Sequence, residues 1–329
     1  MSPRLSVAFD GMPPLPAAVA MAREAEAAGL HAMWLAEHVG YREATLAALA
    51  VASATSRLTV IPTALTPYLH APVVAAMAVG TLAEAAPGRV GVAVGLGNPL
   101  ALRESGIDPR RPVRAVADYV AALRGLLRGD AVHTSGDVVR LAGARLGFTV
   151  PPVPLYIAAI RERMLALAGQ AADGVVLSAG LTVASTRTSL QRVETAALAA
   201  GRDPKDVLAA GYVITAVSVD GRTASEAARA KLAFLLRNTY LADNVKASGI
   251  AVDQEAIAAA VARRDLEAAR RLVSDDAVEA FAAAGTPAAC RRRLERYAGA
   301  GLAEIVLSLT GPVEGRALAL GIARDLICA

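Results

Sequence analysis

The fold is decided by Trp34-Leu-Ala-Glu-His-Val39, Leu58-Thr-Val-Ile-Pro-Thr-Ala-Leu-Thr-Pro-Tyr68 and Arg89-Val-Gly-Val-Ala-Val-Gly-Leu-Gly-Asn98. Each stretch is a short apolar run that ends in polar residues or glycine, and alanine-rich helical segments separate the three runs. Continuous apolar runs of this length are typical of strands buried on both faces of a parallel sheet. The region therefore predicts alternating strands and helices, with polar side chains gathered where the strands end.

The same alternation extends over the whole chain. We place eight strands, at Leu5–Phe9, Met33–Ala36, Leu58–Pro62, Val90–Val94, Leu155–Ala158, Gly174–Ser178, Tyr212–Val219 and Glu304–Leu309. Helices are predicted at Leu15–Ala28, Arg42–Thr55, Val73–Glu84, Val113–Leu127, Arg161–Ala171, Val183–Ala199, Ala224–Arg237 and Val313–Ile327. Eight such units predict an α/β protein with a (β/α)8 TIM barrel. The first strand runs into Phe9-Asp-Gly-Met-Pro-Pro, which is not the phosphate loop of a doubly wound sheet.

Two segments exceed a minimal barrel. Residues 129–150 contain His133–Leu141 and predict a surface hairpin, and residues 241–285 predict a helical insertion before the last strand. Long insertions at the strand-end face commonly form a lid or a substrate wall. We therefore expect a single domain over residues 1–329 in which the insertion walls a pocket.

Composition excludes several classes of protein. The chain has 329 residues, is 55% hydrophobic and carries a formal net charge of +4. It shows no long uncharged apolar run and no basic leader with an apolar block, so we expect a cytoplasmic protein with no membrane partner. The basic residues are spread among acidic ones and do not cluster with aromatics, which argues against a nucleic-acid partner. A modest positive charge suits an anionic small molecule.

Cysteine and histidine usage gives little sign of a metal site. Cys290 and Cys328 are the two cysteines, and they predict reduced thiols rather than a disulfide. No cluster of histidine, cysteine or carboxylate residues has metal-ligand spacing. Among the histidines, His31 is expected to be structural and His133 to be solvated.

Three strand ends carry residues that suit either chemistry or simple turns. His38 can exchange protons near neutral pH beside the Glu37 carboxylate, which favours its charged form, or Glu37 can cap a helix and His38 can lie in a surface loop. The segment Thr63–Tyr68 can hydrogen-bond the edge of a flat ring, or form an ordinary turn. The segment Gly95–Asn98 can bring backbone close to a ligand, or mark a bend. The residues alone leave these alternatives open.

The fifth predicted strand enters its helix through Ala158-Ala-Ile-Arg-Glu-Arg163. The free N–H groups and the dipole of a helix N-terminus bind phosphate, and Arg161 and Arg163 would add charge-assisted contacts. The alternative is that the two arginines pair with Glu162 and with surface acids.

In this order and spacing the motifs resemble the luciferase-like superfamily of flavin and deazaflavin oxidoreductases. Within it, the chain is most similar to the methylenetetrahydromethanopterin reductase-like enzymes that use coenzyme F420. The resemblance covers nearly the whole chain and rests on Ala36-Glu-His38, Ala64-Leu-Thr-Pro-Tyr68, Ala71-Pro-Val-Val74, Gly88–Gly97, Pro154-Leu-Tyr-Ile-Ala-Ala159, Ala172–Ser178, Ser274–Asp276 and Ala284–Pro287.

The resemblance implies that the strand-end face holds the tricyclic ring of F420, with FMN as the alternative. It implies catalytic roles for Glu37 and His38, and a bulge at Thr63-Ala64, often with a non-proline cis peptide, that backs the ring. The cofactor-binding residues that it implies are Thr63, Ala64, Thr66, Gly95, Gly97, Asn98, Ala158, Ala159, Ile160, Arg161, Glu162 and Arg163.

Two positions depart from the family pattern. Arg161-Glu162 stand where the family commonly has glycine, and Asn98 stands where many relatives carry a carboxylate. Asparagine cannot serve as a general acid. We therefore expect His38 to carry proton transfer, with Glu37 setting its charge, unless the substrate needs no proton from that side.

We expect a homo-oligomer, specifically a dimer, that moves a hydride between reduced F420 and a small organic acceptor with a C=N or C=C bond. Trp34, Tyr68 and His70 are expected to contact this small-molecule substrate. One alternative is an FMN-dependent monooxygenase of the same superfamily. Another is a flavin-binding barrel without activity, which the missing carboxylate at Asn98 keeps open.

Overall fold

A computed structural model of the protein describes residues 3–328, and its sheet is a barrel. Within these residues the strands are β1 (Arg4–Phe9), β2 (Ala32–Ala36), β3 (Thr59–Thr63), β4 (Val92–Val94), β5 (Val132–Ser135), β6 (Arg140–Ala144), β7 (Leu155–Ala159), β8 (Gly174–Leu177), β9 (Leu208–Val217), β10 (Ala282–Gly285) and β11 (Glu304–Leu309). Eight of them pair in parallel in the order β3-β2-β1-β11-β9-β8-β7-β4. Isolated bridges Val60–Val90 and Leu65–Val94 join β3 to β4. The predicted (β/α)8 barrel is confirmed.

Helices follow the strands and cover the barrel. They are α1 (Leu15–Ala27), α2 (Ala44–Ala54), α3 (Pro72–Ala85), α4 (Pro99–Glu104), α5 (Pro112–Leu127), α6 (Glu162–Ala171), α7 (Val183–Ala199), α8 (Arg222–Leu236), α9 (Ala242–Ser248), α10 (Gln254–Ala262), α11 (Leu266–Arg271), α12 (Asp275–Phe281), α13 (Pro287–Ala298) and α14 (Val313–Ile327). Short 3-10 turns lie at Pro204–Asp206 and Thr239–Leu241. No helix of the described chain is long and apolar enough to cross a membrane.

The barrel interior is filled rather than hollow. Trp34 is fully buried there and packs edge-on against Tyr156, with ring centroids 5.0 Å apart. Its indole N–H donates to Oε1 of Glu304 at 2.7 Å, and the Ser6 hydroxyl donates to the same oxygen at 2.6 Å. A buried carboxylate is tolerated when donors of this kind replace water. Among the described residues, side chains therefore fill the barrel interior around Trp34 and Glu304. The carboxyl ends of the strands, called the rim below, are where a ligand is expected.

Strand β9 differs from the prediction at both ends, since it spans Leu208–Val217 rather than Tyr212–Val219. It begins at Leu208 rather than Tyr212, because Leu208–Gly211 pair with β8. Its upper half, Ile214–Val217, pairs with β10, a strand that was not predicted. The run Ala282-Ala-Ala-Gly285 has no β-branched residue to mark it as a strand, and it is extended because β9 offers it an open edge.

The two predicted insertions are present, but the second begins earlier than expected. Strands β5 and β6 form the antiparallel hairpin predicted at residues 129–150. Helix α8 was predicted at Ala224–Arg237 as one of the eight helices of the barrel, and the structure corrects this. Residues 222–281 form one continuous helical cap before the chain returns to the sheet at β10. The expected limits of 241–285 therefore miss the first helix of the cap.

Alternate residues of β9 show which side of the sheet α8 covers. Val213 and Val217 pack among the outer helices, in the main core. Ile214 and Ala216 pack with Ala228 of α8, and they lie on the same face as the residues of β9 that line the barrel interior. Helix α8 therefore lies against the inner face of β9, above the barrel, and forms a wall of the rim.

Candidate active site

The carboxyl ends of β2, β3 and β4 bring the predicted ring-binding residues together. The Glu37 N–H donates to the carbonyl of Thr63 at 2.6 Å, which extends the β2–β3 pairing to the rim. The Thr63–Ala64 peptide is cis, as the family resemblance implies. Leu65 then pairs with Val94, so the chain after the cis peptide runs beside β4.

Small residues leave a shallow cradle at this part of the rim. A Cβ built on Gly95 would lie 3.1 Å from the Ala64 Cβ and 3.4 Å from the Ala158 Cβ. Three predicted cofactor residues, from β3, β4 and β7, therefore converge with no side chain beyond a methyl between them. A flat ring needs close approach to backbone of this kind, and glycine and alanine allow it.

The Thr66 hydroxyl is the polar group beside the cradle. Thr66 is 3% exposed, and its Oγ1 has no hydrogen-bond partner among the described residues. A Cβ on Gly97, whose φ of +74° suits glycine, would lie 3.2 Å from this oxygen. A buried hydroxyl without a partner is costly, because it has lost its bonds to water. The arrangement fits a ligand whose polar edge would reach Thr66.

Asn98 serves a local purpose in the structure. Its side-chain oxygen accepts from the backbone N–H groups of Leu100 and Ala101, at 2.9 and 3.4 Å, and so caps α4. This is the usual N-cap role of asparagine. A role in cofactor binding stays a prediction.

Glu37 pairs with His70 rather than with its sequence neighbour. Oε1 of Glu37 lies 2.6 Å from Nε2 of His70, and Oε2 accepts from the Ala44 N–H at 3.3 Å. The expectation that Glu37 sets the charge of His38 is therefore narrowed, because the carboxylate is turned toward His70 and the start of α2, and its charge raises the pKa of His38 less than that of Asp10 does. Adjacent residues at a strand end point to opposite sides, which separates the two side chains.

His38 lies beside two charged residues that the sequence analysis missed. Nζ of Lys231, on α8, lies 3.0 Å from Oδ2 of Asp10, at the end of β1. Although the His38 ring is exposed at the open rim, neighbouring atoms partly desolvate it. With the Lys231 ammonium they lower the pKa of His38, against the opposing charges of Asp10 and Glu37. His38 is therefore favoured in its neutral form.

A signal for these two residues was present in the sequence. Lys231 is one of three lysines among 34 basic residues, and Asp10 directly follows the first strand. Their separation of 221 residues hides the pairing.

The turn between β7 and α6 lies on the same rim. Arg161, Glu162 and Arg163 are exposed there, and Arg161 occupies the N-cap position of α6 without a side-chain cap. Ile160 is partly buried between the main core and the cap. Ala159 is 5% exposed and packs in the layer under the helices. The prediction for Ala159 is therefore narrowed to its backbone, because its methyl group faces away from the rim.

The three predicted substrate residues have different surroundings. The prediction that Trp34 contacts the substrate is wrong, since Trp34 is fully buried in the barrel core and hydrogen-bonded to Glu304 below the rim. The Tyr68 hydroxyl donates to the carbonyl of Arg110 at 2.6 Å, and His70 pairs with Glu37. Tyr68 and His70 are part-buried at the edge of the rim, where contact with a substrate stays a prediction.

Among the described residues, no group of three or more His, Cys, Asp or Glu side chains could hold a metal ion. Both cysteines are free thiols, with Cys290 buried and Cys328 exposed.

Comparison with known proteins supports the family that the sequence motifs resemble. The luciferase-like monooxygenase family model matches residues 2–304. The 5,10-methylenetetrahydromethanopterin reductase of Methanolobus tindarius is 30% identical over 310 residues, 93% of this chain and 94% of that protein.

Solved structures share the fold over the full length. The F420-dependent tetrahydromethanopterin reductase of Methanopyrus kandleri superposes with a TM-score of 0.87 at 22% identity, covering 100% of this chain and 99% of that one. An F420-dependent secondary alcohol dehydrogenase in complex with an F420-acetone adduct gives 0.79 at 22% identity, covering 100% and 98%. The resemblance noted in the sequence is confirmed, and the chain belongs to the luciferase-like monooxygenase family, with F420-dependent oxidoreductases among its relatives.

Proposed function

We propose that the chain is an F420-dependent oxidoreductase that transfers a hydride between reduced F420 and a small organic acceptor with a C=N or C=C bond. The observation that carries the proposal is the methyl-lined cradle of Ala64, Gly95 and Ala158 beside the unpartnered Thr66 hydroxyl. The absence of side chains larger than a methyl group in the cradle, and the single polar group beside it, suit a flat heterocycle. The two solved structures named above are F420-dependent enzymes, which favours the deazaflavin over FMN.

Named residues would hold the cofactor. The cradle and the Thr63–Ala64 peptide would support the ring, and Thr66 Oγ1 would hydrogen-bond its edge. The free N–H groups at the start of α6, with Arg161 and Arg163, would bind the phosphate. When bound, the reduced deazaflavin supplies a hydride from its C5 position.

The protein contributes orientation, proton handling and shelter from water. Helix α8 and the rest of the cap stand over the rim and confine the acceptor against the ring. His38, favoured in its neutral form, would act as a base that accepts a proton, and it could pass that proton on to the acceptor only after taking it up. The Asp10–Lys231 pair lies next to His38 and biases its charge.

A binding titration of the purified protein tests the cofactor assignment. We expect a saturable change in F420 fluorescence and a much weaker response to FMN. Tight binding of FMN without binding of F420 would contradict the proposal and favour the monooxygenase alternative. Oxidation of reduced F420 that depends on an added acceptor, in the absence of oxygen, would then test turnover.

We also infer a homodimer. Large apolar side chains stand exposed on the neighbouring helices α2 and α3, among them Leu46, Val74 and Met77 at 67%, 61% and 50% exposure. Large exposed apolar side chains on two packed helices suit contact with a second copy of the chain. Light scattering that gives twice the mass of 33.6 kDa would support this, and a monomer at all concentrations would overturn it.

A further inference from the structure

Glu37 is attached to both ends of the segment that faces the cofactor cradle. Its backbone N–H holds the carbonyl of Thr63 at 2.6 Å, and its carboxylate holds the His70 ring at 2.6 Å. Residues 63–70 include the cis peptide and Thr66, which the proposed function places against the ring. A single residue therefore fixes the start and the end of this segment.

The tie to His70 depends on the protonation state of His70. The groups that face this pair are Glu37 from the end of β2, Glu43 from the start of α2 and Tyr119 from α5. Burial alone would lower the pKa of His70. The hydrogen bond to Glu37 and the charges of Glu37 and Glu43 outweigh burial, and the pKa of His70 is raised above its ordinary value.

We propose that His70 is a positioning residue for the cofactor. In its cationic form His70 fixes Glu37 and thereby holds residues 63–70, including Thr66, in the shape that receives the ring. This role differs from the substrate contact that the sequence suggested. The inference rests on the proposed function, because it assumes that the cradle binds the cofactor.

The direction of the pH effect follows from the pair. A charged hydrogen bond between imidazolium and carboxylate is stronger than one from neutral imidazole. The charge-assisted part of this contact is therefore fully present below the ordinary histidine pKa of about 6.5 and is lost as the pH rises through the raised pKa of His70, which leaves a weaker hydrogen bond from neutral imidazole. Cofactor affinity should fall over the same interval.

The experiment is a fluorescence titration of F420 from about pH 6 to about pH 9, an interval that spans histidine titration. The variants are His70→Gln, which has no charge, and His70→Arg, which keeps a cation at every pH. We expect His70→Gln to bind about tenfold more weakly at low pH, the lower range for a hydrogen bond to a charged group. We expect His70→Arg to retain affinity at low pH and to lose the pH dependence attributable to His70.

Controls separate this effect from titration of the cofactor itself. His133→Gln changes an exposed histidine in the β5–β6 hairpin and should keep the pH profile of the unmodified protein. A His70→Gln variant with the affinity and pH profile of the unmodified protein would overturn the proposal. Loss of the pH profile in His70→Arg together with low affinity at every pH would also overturn it, because a restored cation would then fail to restore the tie.

A second measurement keeps the inference separate from the cofactor assignment. Amide hydrogen exchange of the cofactor-free protein, compared between variants at one pH, reports how firmly residues 63–70 are held. We expect faster exchange in this segment for His70→Gln than for His70→Arg. Failure of every form to bind F420 would overturn the proposed function, whereas equal exchange in both variants would overturn the tie.

Discussion

The two sides of the barrel rim are built in different ways. On the side of β2, β3 and β4, the site consists of strand ends, a cis peptide and small residues between Glu37 and Asn98, and Ala158 of β7 completes the cradle. On the side of β8, β9 and β11, the rim is covered by α8 and the other cap helices, which come from a long excursion of the chain. The first side therefore presents backbone and small side chains to a flat ring. The second side presents the side chains of the cap helices to the acceptor.

The largest expected effect comes from filling the cradle. The side chain introduced by Gly95→Val would collide with Ala64 and Ala158 and fill the space proposed for the ring. Because such overpacking costs about 3 kcal/mol, F420 binding should weaken roughly a hundredfold. Fluorescence titration measures the change. Gly147→Ala, on an exposed turn with open space around its Cβ, is the matched control. A well-folded Gly95→Val protein that binds F420 normally would place the ring elsewhere.

The next largest effect lies in the core beneath both sides. Trp34→Phe removes the indole donor to Glu304 and should lower the free energy of unfolding by about 2 kcal/mol, with little change in cofactor affinity. Urea unfolding should be followed by far-UV circular dichroism, because Trp34 is the sole tryptophan and its replacement removes the tryptophan fluorescence signal. Unchanged stability with weakened substrate binding would return Trp34 to the pocket.

A smaller effect is expected where the cap meets the barrel. Lys231→Met breaks the pair with Asp10 and should cost about 0.5–1 kcal/mol, because both side chains are partly exposed. Faster amide exchange confined to α8 would show that the pair holds the cap to the rim. Lys246→Met, at an exposed position in α9, should leave this exchange unchanged. Global loosening in both variants would argue against a local tie.

The smallest effect is expected at the phosphate end. Arg161→Gln should weaken F420 binding about two- to fivefold at low ionic strength, because an exposed charge at a helix terminus contributes about 0.3–1 kcal/mol. Added salt should narrow the difference from the unmodified protein. Arg145→Gln, exposed after the β5–β6 hairpin, tests whether any lost arginine has this effect.

The sequence predicted the cofactor side better than the cap side, for physical reasons. Buried parallel strands such as β3 and β8 are marked by composition alone, and the cis peptide at Thr63-Ala64 was implied by the family resemblance. Helix α8 has the same apolar spacing whether it covers the outer or the inner face of the sheet. Periodicity therefore identified the helix but not the side on which it packs.

Long-range polar pairs were the second gap. Glu37 is adjacent to His38 in sequence, yet its carboxylate meets His70, 33 residues away. Asp10 and Lys231 meet only because α8 crosses above β1. Pairings of this kind depend on the path of the backbone in three dimensions, and no spacing rule in one sequence reports them.

The joint between β3 and β4 has a consequence for how the molecule responds to its ligand. Every other neighbouring pair of barrel strands shares a regular ladder in the described chain, whereas this pair is joined at two separate bridges. The cradle of Ala64 and Gly95 sits across this joint. A bound ring would thus contact both strands where the barrel has the least regular pairing. Ligand binding should therefore raise the free energy of unfolding of the whole barrel.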